Sequence, residues 1–293
     1  MLRPDGADVG GPLEVLRGTL DLMILKAVES GPQHGYGITK WIRETSGDAF
    51  QVDPGRNPAG WSDVVIEGCR FWLAPLPSPA NGFPAGTVAG ENAIDTKAAG
   101  TAPRAKLTIR DTEAHGFRQG LIRNMAAFNL KENIDAVLDG VTAYDSEIAF
   151  RIRGPGPNGG PLIRVQNAVV HSSDVAFRYE DDIETAKIYN VTVGGGVARP
   201  FVKASSPGTV FDVRNFLMLG PSLPGQAAGS SNRAVPASAF VNAADHNYQL
   251  SDRSPAVDAG VAIGEVTHDR RGIPRPQGRG YDVGAYEHPV TPH

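Results

Sequence analysis

The nine residues that decide the fold are IRVQNAVVH, positions 163–171. Val165 stands two places before Asn167, a residue type that tolerates a positive φ, and Ala168 and Val170 then share one side of an extended strand. Five other stretches repeat this arrangement: VVIEGCRFW (64–72), LTIRDTEAH (107–115), AVLDGVTAY (136–144), KIYNVTVGG (187–195) and FDVRNFLML (211–219). Each stretch is therefore predicted to contain a strand, a tight bend and a second strand.

The bends of these stretches set the length of the repeat. They fall at Gly68, Asp111, Gly140, Asn167, Asn190 and Asn215, which lie 43, 29, 27, 23 and 25 residues apart. This spacing is too long for hairpins, so we predict a mainly β protein, a right-handed single-stranded parallel β-helix of about six coils. The inward residues after each bend are Cys69/Phe71, Thr112/Ala114, Val141/Ala143, Ala168/Val170, Val191/Val193 and Phe216/Met218.

A second strand repeats within the same coils, as NAIDTK (92–97), AFNLKE (127–132), IAFRIRG (148–154), VAFRYED (175–181) and, more weakly, RPFVKAS (199–205). Strand alternation turns its side chains alternately inward and outward. The inward residues are Ile94, Phe128, Phe150 and Phe177, with Thr96, Leu130, Ile152 and Tyr179. The outward residues are Asp95, Asn129, Arg151 and Arg178 in one column and Lys97, Lys131, Arg153 and Glu180 in the next. Since neighbouring coils lie about 4.8 Å apart, these side chains should form one compact charged face.

The N-terminal part has a helical pattern instead. The stretch LRGTLDLMILKAVESGPQHGYGITKWIRETSGDAFQV (16–52) resembles the opening of PadR-type winged-helix transcriptional regulators. In that family a recognition helix and a wing follow and make most DNA contacts, whereas DPGRNPAGWSD (53–63) contains neither. We therefore do not expect DNA binding, and we predict that helices within residues 13–46 cover the open end of the β-helix near Trp61 to Trp72.

Residues 61–288 are similar to secreted parallel β-helix proteins of the pectin-lyase-like superfamily. The motifs are GENAIDTK (90–97), SEIAFRIRG (146–154), DRSPAVDAGVAI (252–263) and DRRGIPRPQGRGYDVGAYE (269–287). The resemblance implies binding or cleavage of carbohydrate, often of uronate-containing polymers, on an exposed face of parallel strands. The predicted organisation is a flexible tail (1–12), the PadR-like helical fragment (13–52), a junction (53–60), the β-helix (61–250) and a C-terminal closing segment (251–293).

The charged face has two interpretations, which the sequence leaves open. Like charges at strand spacing cost stability, so its cations need either the nearby acids Asp95, Glu91 and Glu132 or an anionic ligand. With a ligand, Lys97 or Lys131 is the candidate catalytic base, because neighbouring cations disfavour an ammonium ion. The candidate substrate-binding residues are Asp95, Asn129, Arg151, Arg153, Arg178 and Glu180, since arginine forks suit carboxylates.

Other chemistries have weaker support. Glu91 and Asp95 offer two carboxylates, fewer than the roughly six to eight oxygens that Ca²⁺ takes, so no metal or other cofactor is predicted. A hydrolase with paired carboxylates among Glu180, Asp181 and Asp182 is a rival, although a polar turn explains the same run. His115 and His171 lack metal-ligand spacing and are interpreted as surface or loop histidines.

Composition narrows the partners. With Lys+Arg 28 against Asp+Glu 32, the net charge of -4 gives no general attraction to nucleic acid or an anionic membrane. Cys69 is the only cysteine in the sequence, which excludes an intramolecular disulfide. No apolar run spans a bilayer and the N-terminus lacks a secretory cleavage pattern, so we expect a cytoplasmic protein without a membrane partner. We also expect a monomer.

The preferred function is therefore binding or lyase-like cleavage of an acidic, uronate-containing polysaccharide. The alternatives are a PadR-like DNA-binding regulator with a β-helix C-terminal domain, and a gene fusion without a joint function.

Overall fold

The structure is a computed structural model that describes residues 50–52, 63–80, 82–97, 104–154, 160–204 and 211–289. The predicted helices within residues 13–46, their proposed cover over the first coil and the junction at 53–60 lie outside these residues. In the part of the chain that is described, no helix is long and apolar enough to cross a membrane.

Three parallel sheets contain most of the strands of the described chain. Sheet 1 contains β1 (Phe50–Val52), β4 (Ile94–Thr96), β7 (Ala126–Lys131), β10 (Ile148–Arg153), β13 (Val175–Tyr179) and β16 (Arg199–Lys203). Sheet 2 contains β2 (Val64–Glu67), β5 (Ala105–Arg110), β8 (Ile134–Asp139), β11 (Leu162–Gln166), β14 (Thr185–Tyr189) and β17 (Phe211–Arg214). Sheet 3 contains β3 (Arg70–Trp72), β6 (Glu113–His115), β9 (Thr142–Tyr144), β12 (Val169–His171), β15 (Thr192–Val193), β18 (Leu217–Leu219) and β19 (Arg233–Val235).

The chain visits the three sheets in turn, so each coil gives one strand to each sheet. Within the described residues this produces six coils, and the predicted parallel β-helix is confirmed. The sequence pattern predicts the first coil from residue 61, whereas β1 already pairs with β4 through Phe50 and Ile94. The stack therefore extends into the end of the segment that resembles a regulator.

The predicted bends are confirmed at all six positions. Gly68, Asp111, Gly140, Asn167, Asn190 and Asn215 have φ values of 63, 46, 67, 52, 52 and 52°. These bends join sheets 2 and 3, and their side chains meet along the stack. Asn167 Nδ2, for example, donates to Asp139 Oδ1 at 2.8 Å, and Asn215 Nδ2 donates to Asn190 Oδ1 at 3.3 Å. At Gly140 a Cβ would lie 2.5 Å from Asp111 Oδ1, so a larger residue at this bend would require the Asp111 side chain to shift.

The core lies inside the coils, where the predicted inward residues are buried, apart from Met218, which is half-buried. Phe128, Phe150, Phe177 and Phe201 form a ladder with successive ring centroids 5.4, 4.9 and 5.3 Å apart. Such offset contacts between aromatic rings add to the free energy gained by burying their surface. The ladder holds sheet 1 in register and thereby fixes the positions of the charged side chains on its outer face.

The C-terminal segment packs along the bends. After the short 3-10 helices Gly225–Ala227, Ala237–Ala239 and Ala243–Asp245 and the antiparallel pair β20 (Phe240–Asn242) and β21 (Asn247–Leu250), the chain runs back beside the stack. The amide nitrogens of Asn167, Asn190 and Asn215 donate to its carbonyl oxygens at His268, Asp282 and Val261, at 3.0, 3.1 and 2.8 Å. The segment is locked in place by a fully buried ion pair of 2.6 Å between Arg275 Nη1 and Glu287 Oε1.

Candidate functional site

The outer side of sheet 1 carries the charged face, defined as Asp95, Lys97, Asn129, Lys131, Arg151, Arg153, Arg178 and Glu180. The register confirms the first predicted column and the step from Lys131 to Arg153 in the second. Asp95 pairs with Asn129, Asn129 with Arg151, and Arg151 with Arg178. In the next column Lys131 pairs with Arg153, while the Glu180 N–H donates to the Ile152 carbonyl at 2.9 Å. The sequence repeat thus brings five cations and two carboxylates onto adjacent coils.

Asp95 is the centre of the first group of charges. Its Oδ1 lies 2.9 Å from Lys131 Nζ, its Oδ2 lies 3.8 Å from Lys97 Nζ, and Asn129 Nδ2 donates to Oδ1 at 2.7 Å. Asp95 and Asn129 are on the outward column, yet both are buried, with 2% and 1% of their surface exposed. The carboxylate is therefore an internal counter-ion for the two lysines, and a ligand reaches the lysines before it reaches the acid.

Glu180 is the centre of the second group. Its Oε1 accepts hydrogen bonds from Arg151 Nε at 2.9 Å and Arg178 Nε at 3.1 Å, while Oε2 lies 2.8 Å from Arg153 Nε. Burial would raise the pKa of the Glu180 carboxyl, but the Arg151 hydrogen bond and the charges of all three arginines outweigh it and lower the pKa. Three guanidinium groups thus share one ionised carboxylate, which leaves this group with excess positive charge.

These contacts bear on the two interpretations of the face. Asp95 balances one of the two lysine charges, and Glu180 balances one of the three arginine charges. A lysine base needs cationic neighbours to disfavour its ammonium form, but a carboxylate lies against both Lys97 and Lys131. Their role as a base stays a prediction.

A groove of about 330 Å³ adjoins the arginines, at the end of the face where β13 and β16 lie. Its lining comprises Arg118, Gln119, Asn124, Glu147, Ile148, Asp174, Val175, Arg178, Arg199 and Val202. Arg178 Nη1 donates to Asn124 Oδ1 at 2.5 Å, which fixes the guanidinium between the groove and Glu180. The groove and the charged face are therefore one continuous surface.

The acids of the groove are engaged by the protein itself. Glu147 Oε2 accepts from the backbone N–H groups of Asn124 and Met125 at 2.8 and 3.2 Å. Asp174 Oδ1 lies 3.2 Å from Arg118 Nη2. In contrast, the exposed guanidinium of Arg199 makes no ion pair or side-chain hydrogen bond with any residue that the structure describes. The groove therefore offers a cation to an incoming anion.

Of the residues that line the groove, the sequence repeat identified Arg178 alone as a candidate binding residue. Gln119 and Asn124 lie in the connection between β6 and β7, and the connections at this place differ in length from coil to coil, so aligning the repeats does not point to these residues. Arg199 could have been found from the sequence. Aligning RPFVKAS with VAFRYED places it in the column of Val175, and the register shows the same pairing.

The other candidate acids lie in a turn. Asp181 and Asp182 follow β13, both are exposed, and Asp182 has a φ of 49°. Glu180 is held ionised by the arginines, so it is poorly suited to donate a proton at neutral pH. The described residues contain no group of three or more His, Cys, Asp or Glu side chains that could hold a metal ion.

The two histidines singled out in the sequence belong to a stack on the outer side of sheet 3. His115, Tyr144, His171 and His246 follow one another with centroids 4.5, 4.9 and 4.0 Å apart and nearly parallel planes. Burial, followed by the charge of His246, lowers the pKa of His171 to about 4. Both faces of Tyr144 and His171 are covered by neighbouring rings, so neither of these two rings has a free face on which a sugar could stack.

Comparison with known proteins gives no further guidance on these surfaces. The sequence matches no protein-family model and no curated protein.

Proposed function

We propose that the charged face binds an acidic, uronate-containing polysaccharide. The observation that carries the proposal is the convergence of Arg151, Arg153 and Arg178 on the single carboxylate of Glu180. A guanidinium has five N–H donors in a planar fork, so an arginine that uses Nε on Glu180 keeps donors for a second carboxylate. The shared counter-ion holds the three forks in place before the ligand arrives, which reduces the entropy cost of binding.

The arrangement of the cations favours a polymer over a single sugar. They occupy successive coils, from Lys97 and Lys131 to Arg151 and Arg178, and neighbouring strands lie about 4.8 Å apart. A chain with one carboxylate on each unit can meet several of them if it runs across the strands. Several weak contacts on one chain then add up to a useful affinity through their high effective concentration.

Cleavage by β-elimination is the finer form of this proposal. In that reaction a base removes the proton next to the uronate carboxylate, the electron pair forms a carbon–carbon double bond, and the glycosidic oxygen leaves and is protonated. Lys97 or Lys131 would act as the base only as a neutral amine, after leaving Asp95 and losing a proton to water, and the ammonium ion formed in the step would return the proton to the leaving oxygen. The unsaturated product absorbs ultraviolet light, so binding without any rise in absorbance would refute the lyase step and leave a binding protein.

Binding is tested with the substitution Arg153→Gln and calorimetric titration with polygalacturonate, using uncharged dextran as the ligand control. Arg153 has a side chain that is 40% exposed, so its loss should change binding more than folding. We expect the Kd for polygalacturonate to rise roughly threefold to tenfold, which corresponds to one charge-assisted contact partly screened by solvent.

The matched control is Arg164→Gln. Arg164 lies in β11 of sheet 2, is also partly exposed, and has its only described ion pair with Glu265, at 4.0 Å. It should leave the Kd unchanged. Equal binding by the wild type and Arg153→Gln, or equal binding of polygalacturonate and dextran, would contradict the proposal.

A further inference from the structure

The floor of the groove is apolar although its rim is charged. Ala126, Ile148 and Val175 are buried and pack with Val202 in a small cluster that is separate from the main core. Ile148, Val175 and Val202 line the groove. By register Ile148 lies beside Val175, and Val202 continues the column of Arg178 by one coil. The outer side of sheet 1 thus changes from guanidinium to branched aliphatic groups over a single coil.

The rim presents positive charge around this floor. Arg178 lies on one side, anchored by Asn124 and Glu180, and Arg199 lies in the column of Val175. The carboxylates of Glu147 and Asp174 are already bonded to backbone N–H groups and to Arg118 respectively. A ligand group that fits both surfaces is therefore an anion with a short apolar substituent.

We propose that the groove binds a uronate unit that carries a small acyl group, such as an O-acetyl ester. The carboxylate of the unit lies against Arg178 and Arg199, and the methyl of the acyl group lies on Ile148, Val175 and Val202. This inference rests on the proposed function and adds a selectivity to it. Ile148 and Val175 are each 3% exposed, whereas Val202 is half-buried, so most of the aliphatic surface open to water belongs to Val202. An unsubstituted uronate leaves that surface in contact with water, whereas an acylated one covers it.

The size of the selectivity follows from the area covered. Removing one methyl group from water favours the acylated ligand by roughly threefold to fivefold. The effect is small because the groove is open, and it concerns one unit of the polymer. It is nevertheless measurable with two ligands that differ only in acylation.

The experiment compares an O-acetylated polymannuronate with the same preparation after alkaline de-O-acetylation, at matched chain length, by calorimetric titration. The wild type should bind the acetylated form roughly threefold to fivefold more tightly. Val202→Thr replaces a methyl by a hydroxyl of similar size, so the preference should fall close to one while affinity for the de-O-acetylated form stays the same. Arg199→Gln should weaken binding of both forms by the same factor.

The matched control is Val137→Thr. Val137 is also half-buried in a strand, but it lies in β8 of sheet 2, so the preference should persist in this variant. If Val202→Thr lowers the melting temperature, Val202→Ala provides a second removal of methyl groups and should reduce the preference in the same way.

The possible failures are distinct. Equal affinity of the wild type for the two preparations overturns the acyl selectivity but leaves the proposed function standing. A preference that survives both Val202 substitutions also overturns it, because the acyl group then binds elsewhere. Binding of neither preparation, together with no binding of polygalacturonate, refutes the proposed function itself.

Discussion

Replacing Glu180 by glutamine should destabilise the protein and strengthen its binding to acidic polysaccharide. The carboxylate contacts three arginine Nε atoms at 2.8, 2.9 and 3.1 Å. Removing one partner of a buried ion pair lowers the free energy of unfolding by about 3–5 kcal/mol. The 40% exposure of Arg153 and the amide oxygen that glutamine retains reduce this to about 2–3 kcal/mol. Urea unfolding followed by circular dichroism measures this loss directly.

The binding change has the opposite sign. The charged face contains five cations and two carboxylates, so Glu180→Gln raises its excess positive charge from three to four. We expect the Kd for polygalacturonate to fall, by roughly threefold at low salt and less at high salt. The matched control is Glu265→Gln, since that carboxylate also bonds a cation, Lys187 at 2.9 Å, but is 42% exposed on another face. It should change the free energy of unfolding by less than about 1 kcal/mol and leave the Kd unchanged.

The free energy of unfolding measured at acidic pH gives a second test of the same variant. The pKa of Glu180 in the folded protein is below its ordinary value of 4.5. The ionised carboxylate therefore stabilises the folded state fully above pH 4.5, and this stabilisation is lost as the pH falls through the folded-state pKa. Glu180→Gln should therefore be less sensitive to acid than the wild type. If the variant binds polygalacturonate more weakly instead, the role of Glu180 in holding the three arginines in place outweighs the added positive charge, and the charge reasoning is refuted.

Three further predictions concern stability. Because burial lowers the pKa of His171 from 6.5 to about 4, the free energy of unfolding should fall as the pH drops from about 6.5 to about 4, by roughly 2 kcal/mol after solvent screening. Urea unfolding of wild type and His171→Phe at each pH measures this loss, and an equal fall in both proteins would contradict the burial of the ring. Asn215→Ala should lower the free energy of unfolding by about 2–4 kcal/mol, because it removes two hydrogen bonds to Val261 and places alanine, which disfavours a positive φ, at a φ of 52°. Asn242→Ala, at an exposed helix cap, is the control and should lower it by about 1 kcal/mol. Arg275→Gln leaves Glu287 buried without its guanidinium and should cost about 3–5 kcal/mol, and a thermal shift no larger than that of a surface substitution would contradict the buried pair.

The sequence predicts the bends and columns well because each depends on short repeated patterns. An asparagine, aspartate or glycine at a fixed place in the repeat specifies the positive φ, and alternation specifies which side a residue occupies. The same local rules cannot show that Asp95 is buried or that three arginines share Glu180. Those facts depend on the lengths and rotamers of side chains from different coils.

The groove was harder to predict for a different reason. Its floor uses Ile148 and Val175, which alternation alone assigns to the same side as Phe150 and Phe177, whereas the structure places them in a separate cluster. The intervening Ala149 and Ala176 belong to the main core, so the alternation breaks at this point in each coil. This break in alternation has no single-residue signature comparable to the asparagines at the bends between sheets 2 and 3.

The C-terminal segment changes how the stack can unfold. In a plain solenoid each coil touches its neighbours alone, so the last coils can fray one at a time. Here Arg270 Nη1 donates to the Gly140 carbonyl at 2.6 Å, and the amides of Asn167, Asn190 and Asn215 bond to the same segment. Four successive coils are thereby tied to one strap of chain that is synthesised after all of them. During translation these coils acquire their final partners late, and once the strap is in place they open together as one cooperative unit.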